Sequence, residues 1–192
     1  MSTEPDYQWP TPPEGGYTAE DLDRLPNLPP HTELIDGSLV FVSPQAIFHM
    51  LVLRVLERGL IQAVPPELTV VREMTVALDQ RNRPEPDLCV ARADAVTGLR
   101  QTAFHPEDVL VAVEVVSPDS EARDRDTKPR KYAAAGIPHF WRVENTGGRP
   151  VVYVFELEPA TRTYAVTGIH HDVLKLSVPF DVEIDLGDVA AR

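Results

Sequence analysis

The chain has 192 residues, 43% of them hydrophobic, with 18 basic and 30 acidic side chains and a formal net charge of -12. That length supports one well-buried domain and is too short to argue for two. The excess of acid opposes non-specific attraction to a polyanion, because phosphate binding rests on Lys and Arg displacing counterions; clustered charge and metal ions at a site can still reverse the local balance. The single cysteine, Cys89, excludes an internal disulfide and any multi-thiolate metal site, and it is assigned no chemistry.

Residues 1–16 contain four prolines and two glycines without apolar periodicity, so they read as a flexible tail ahead of a single domain over 17–192. Acids and prolines stand where a signal peptide would have basic and apolar segments, and no later run reaches membrane-spanning length. A soluble, cytoplasmic protein is expected. Thr18 before Ala19-Glu20-Asp21 predicts an N-cap and a short helix to about Leu25, stopped by Pro26. Glu33-Leu34-Ile35 and Ser38 to Val42 flank Asp36-Gly37, which supplies the positive φ angles of a tight hairpin turn.

Ser43-Pro44 and the spacing of Ile47, Met50, Leu51, Val55 and Leu56 predict a helix over about 44–62. Alternation from Val70 to Leu78 predicts a strand, and a second, short strand starts at Asp87 behind Pro86. The run from Val109 to Val116 reads as a strand covered on both faces. Thr127 and Pro129 predict the start of a helix ending at Gly136. His139 to Val143, Val151 to Leu157 and Tyr164 to Val166 then read as strands around Gly147-Gly148 and Pro159-Ala160-Thr161. The order predicts a mixed central sheet with helices against it, an α/β fold bordering on α+β, with antiparallel strands near the C-terminus.

Glu114 is the most informative residue, because a carboxylate inside a valine-rich strand is costly to desolvate unless a cation or hydrogen-bond donors meet it. Asp87 opens a neighbouring strand, and two such acids supply the hard oxygen ligands that Mg2+ or Mn2+ prefers. The same chemistry also allows a structural role, with Glu114 in a buried ion pair with Arg123, Arg125 or Lys128 and Asp87 capping a turn. Arg123, Arg125, Lys128, Arg130 and Lys131 concentrate positive charge nearby, but Asp119, Glu121, Asp124 and Asp126 interleave with them. Phosphate positioning by Arg123 and Arg125 therefore competes with a solvated, salt-bridged segment. His49 reads either as an accessory site residue or, more often for a single histidine, as a hydrogen-bonded core residue.

Glu33-Leu34-Ile35-Asp36-Gly37, Ser43-Pro44 with His49, Pro86-Asp87, Glu114 to Pro118, and Arg123 through Lys128, Tyr132, Gly136-Ile137-Pro138 and Trp141 resemble one family. It is the Uma family of restriction-endonuclease-like proteins, and the likeness runs over about 17–190. The resemblance implies a restriction-endonuclease-like core of the PD-(D/E)XK nuclease superfamily, a Mg2+ or Mn2+ cofactor held by Asp87 and Glu114, and a nearby catalytic lysine. It also implies roles for Glu33 in the early hairpin and for His49. The chain departs from the superfamily pattern at Val116, which stands where the lysine would be, so Lys128 is the expected substitute and Lys131 the fallback.

These readings lead first to a metal-dependent endonuclease acting on DNA. The competing readings are a non-catalytic binding or assembly module of the same fold and a metal-dependent hydrolase of RNA or small phosphodiesters. An exposed edge strand in the 151–166 hairpin is expected to support a homodimer.

Overall fold

The computed structural model describes residues 11–189. Of the expected tail, residues 1–10 lie outside that range; within it, the Gly16 N–H closes a turn on the Pro13 carbonyl at 2.9 Å, and the Tyr17 N–H donates to Gly37 O at 2.8 Å. The first helix, α1 (Asp21–Arg24), is a single turn. Thr18 does not cap it by accepting; its N–H and Oγ1 both donate to the Asp21 carboxylate.

A hairpin of β1 (Glu33–Ile35) and β2 (Ser38–Val40) follows, turning at Asp36 and Gly37, whose φ angles are +52° and +76°. The next helix, α2 (Ile47–Ala63), begins three residues later than the sequence predicts, because Ala46 is still extended. The alternating stretch expected as one strand is two. β3 (Leu68–Arg72) ends at Glu73, whose φ of +51° turns the chain out of the sheet, and β4 (Thr75–Val76) instead pairs in parallel with β6 (Ala103–Phe104).

β5 (Leu88–Arg92) and β7 (Val109–Val115) pair antiparallel, with Leu88 opposite Val113. Asp87, just ahead of β5, thereby comes to the end of β7, where its Oδ2 accepts from the Val115 N–H. Residues Arg123–Thr127 form a π-helical turn and continue into α3 (Lys128–Ala135), which ends on Gly136 at φ +90°. Thr127 is therefore helical and is not the expected cap. The crossover through α3 returns to β8 (His139–Thr146), which runs parallel to β7, as a helical connection allows.

β9 (Arg149–Glu158) and β10 (Thr163–His170) complete a six-stranded mixed sheet in the order β10-β9-β8-β7-β5-β3, in which only β7 and β8 are parallel. A separate antiparallel pair, β11 (Val173–Leu176) and β12 (Val182–Asp185), was not foreseen. Both faces of the sheet are covered. On one, Leu88, Val90, Val111, Val113, Trp141 and Val143 meet α2 and β12; on the other, Cys89, Ala112 and Phe140 meet Tyr132 of α3. This double coverage accounts for the continuous apolar run of β7. No helix among the described residues is long and apolar enough to cross a membrane.

Candidate active site

Glu114 projects from β7 toward α3 and is only 2% exposed. Its carboxylate is met by Lys128 Nζ at 3.0 Å and by the Tyr132 hydroxyl, which donates to Oε1 at 2.6 Å. The same ammonium reaches Glu33 Oε1 at 2.7 Å and lies 3.6 Å from Asp124 Oδ1. Glu33 arrives because the bridge between Leu34 and Arg83 docks the early hairpin beside the segment that leads to Asp87, and the Glu85 N–H donates to its Oε1 at 2.8 Å. Asp87 is held on both oxygens: the Val115 N–H donates to Oδ2 at 2.6 Å, and His49 Nε2 of α2 lies 3.0 Å from Oδ1.

Apart from the fully buried Tyr132, these side chains line one cavity of about 420 Å3 at the end of β5 and β7. Seven carboxylates face it (Glu33, Glu73, Glu85, Asp87, Glu114, Asp119 and Asp124), against Lys128, Arg123 and the histidines His31 and His49. Burial raises the Glu114 and Asp124 carboxyls above the ordinary range, with Lys128 pulling the other way. Burial also works against the Lys128 ammonium, but Glu114, Glu33, Asp124 and Asp87 outweigh it and hold its pKa above that of a free lysine. At the rim His31 Nδ1 lies 2.5 Å from Glu85 Oε1; this bond raises the histidine pKa, while burial raises that of Glu85.

The donor set fits a divalent cation. One ammonium does not balance the carboxylates around it, and Asp124 Oδ1 is buried without a hydrogen-bond donor. Among the described residues no group of three His, Cys, Asp or Glu side chains forms a ready cage. Magnesium is commonly held by one or two carboxylates, with water and substrate phosphate completing its shell. Asp87 and Glu114 are the residues that would hold it.

Of the residues singled out from sequence, Glu33, His49, Asp87, Glu114, Arg123 and Lys128 line the cavity. The buried ion pair offered as the alternative for Glu114 is present, with Lys128, inside the same cavity. Arg125 and Lys131 are not brought there: Arg125 pairs with Glu121 and Glu144, and Lys131 reaches Asp36 at 2.6 Å outside it. Val116, at the usual lysine position, lines a neighbouring cavity instead. Sequence reasoning missed Asp124, the hydroxyl of Tyr132 and the His31–Glu85 pair. Asp124, Lys128 and Tyr132 recur at intervals of four, a polar stripe of one helical face that could have shown the first two. The π-helical turn over Arg123–Thr127 carries Asp124 inward ahead of that helix.

A mixed sheet with two carboxylates at adjacent strand ends and a lysine on the crossover helix defines a protein of the restriction-endonuclease-like class. Residues 19–187 match the model of the Uma2 family, described as "Putative restriction endonuclease", and the chain belongs to that family. A solved structure from Anabaena variabilis ATCC 29413, described as a "putative nuclease belonging to DUF820", is similar in fold. It has a TM-score of 0.68 at 16% identity, with 91% of this chain and 97% of that one covered. No curated protein matches the chain.

Proposed function

We propose that the protein is a metal-dependent endonuclease that hydrolyses phosphodiester bonds in DNA. What carries the reading is the meeting of Asp87, Glu114, Glu33 and Lys128 in one cavity. A Mg2+ or Mn2+ ion held by Asp87 and Glu114 would supply a bound water of lowered pKa and polarise a phosphoryl oxygen. The protein's own groups do the rest. His49 and the Val115 N–H fix the Asp87 carboxylate. Tyr132 orients Glu114, and Glu33 keeps the Lys128 ammonium charged and aimed at the cavity, where it can stabilise negative charge developing on phosphate. Lys128 thus replaces the lysine that Val116 displaces.

The purified protein should nick circular DNA, single-stranded or plasmid, when Mg2+ or Mn2+ is added, and Asp87→Asn and Glu114→Gln should each lose about a hundredfold or more while keeping the fold by circular dichroism. Equal nicking by the wild type and both variants would mean contamination and end the proposal.

A second reading, a non-catalytic binding or assembly module, is favoured by the engagement of Lys128 by two carboxylates and by the net charge of -12. Calorimetry separates the two: Mn2+ binding that disappears in both variants counts against the module. A homodimer is a further proposal. β10 is an edge strand, and none of its eight residues is Asp, Glu, Lys or Arg. Sedimentation that finds only monomer at high concentration rules it out.

A further inference from the structure

The cavity that holds Asp87 and Glu114 continues into a second one, of about 600 Å3, lined by Phe48, Val116, Pro118, Glu144 and Asn145. The two share Ser43, Pro44, Gln45, His49, Ser117 and Asp119, so a single cleft runs between the β2–α2 segment and the segment after β7. Glu114 lies at its floor, 2% exposed. Only a strand that enters the cleft can bring a phosphodiester to that carboxylate.

The charges along this cleft do not suit a duplex. Tight duplex binding draws on about six to ten phosphate contacts from available Lys and Arg. Here Lys128 is held by Glu33 and Glu114, Arg125 by Glu121 and Glu144, Arg130 by Asp126 and Lys131 by Asp36. Arg123 differs. It is half-buried and lines the catalytic cavity; its Nε is buried without a hydrogen-bond partner, and it forms no ion pair among the described residues. The cleft therefore offers one uncommitted guanidinium, enough to grip a single phosphate in bidentate fashion.

The rim of the cleft is apolar as well. Val42, 37% exposed, lines the catalytic cavity, and Phe48, Val116 and Pro118 line the neighbouring one. Stacked bases in a duplex turn their edges, not their faces, to a protein, whereas the unstacked bases of a single strand offer faces to an apolar rim. From these features we infer that the substrate is single-stranded DNA, threaded through the cleft with one phosphate on Arg123 and its bases against Val42, Phe48 and Pro118. The inference rests on the nuclease reading and narrows its substrate.

The test is fluorescence anisotropy on the full chain with a labelled DNA strand of about 12 nucleotides and its duplex, with Ca2+ in place of Mg2+ to hold off cleavage. The single strand should bind at least about tenfold more tightly than the duplex. Arg123→Gln should weaken single-strand binding about tenfold, Val42→Asp should weaken it too, and Arg130→Gln should not change it. Far-ultraviolet circular dichroism checks that each variant is folded. Duplex binding as tight as the single strand, or a preference for an RNA strand of the same sequence, overturns the inference and leaves the nuclease reading standing. An unchanged affinity in Arg123→Gln overturns the phosphate assignment. Binding to neither polymer, together with no nicking, ends the nuclease reading itself.

Discussion

Lys128 has the most demanding position in the molecule, because the residue is only 4% exposed and its ammonium faces Glu33, Glu114 and Asp124 at 2.7, 3.0 and 3.6 Å. Lys128→Met would leave three buried carboxyl groups around an apolar tip, and removing one partner of a buried pair costs about 3–5 kcal/mol. Chemical denaturation should show a loss of that size, with part of it regained in the double variant with Glu33→Gln. A Lys128→Met protein as stable as the wild type would mean that the carboxyls are already protonated. At the rim, the His31–Glu85 bond raises the histidine pKa, so the folded state binds the proton more tightly than the unfolded state. Its stabilisation is complete below about pH 6.5 and is lost as pH rises through the raised value. The gap between wild-type and His31→Ala melting temperatures should therefore shrink from acid to alkaline buffer. The effect is small, under about 1 kcal/mol, because the His31 side chain is 48% exposed. A gap that grows with pH would reverse the assignment.

Among the elements, α2 is pinned by close approach at Gly59. A Cβ placed there would meet Ile184 Cγ1 of β12 at 2.5 Å. Gly59→Ala should gain about 1 kcal/mol of helix propensity yet lose about 1–3 kcal/mol to overpacking, a net destabilisation that Ile184→Val relieves in a double-mutant cycle. Additive effects would show that α2 does not pack on β12 there. At the end of α3, Gly136→Ala at φ +90° should cost about 1–2 kcal/mol in denaturation although no atom crowds the site, since the cost lies in the backbone. This cap was legible from the glycine alone, as were the Asp36-Gly37 turn and the covered strand β7, because each follows from a local rule. The break at Glu73 was not. The residues around it keep alternating, and only the separate partners of β3 and β4 divide the stretch. β11 and β12 were missed for a related reason: each is four residues long, and their pairing is set by the floor they form under α2.

For the whole molecule, what the fold contributes is convergence. β1 supplies Glu33, α2 supplies His49, the end of β5 brings Asp87, β7 carries Glu114, and the crossover helix adds Lys128. The sequence shows Glu114 because it breaks an apolar strand and Asp87 because it opens the neighbouring one, but not that Lys128 lies between Glu33 and Glu114, since that depends on a hairpin 95 residues earlier in the chain than the lysine. This crowding of acids makes a prediction that needs no substrate. An ion that binds only the folded state stabilises it by RT ln(1 + [L]/Kd), about 2.7 kcal/mol when the ion stands at a hundred times its Kd. Mn2+ should therefore raise the wild-type melting temperature by several degrees, and Asp87→Asn and Glu114→Gln should each abolish most of that rise. Asp181→Asn, remote from the cavity, should keep it. Because the chain carries a formal charge of -12, weak cation binding over the surface is the competing effect, and added salt separates the two. Surface binding fades as ionic strength rises, whereas a buried two-carboxylate site holds. A rise that persists in both site variants, or that vanishes in moderate salt, would assign the ion to the surface and remove Asp87 and Glu114 as its ligands.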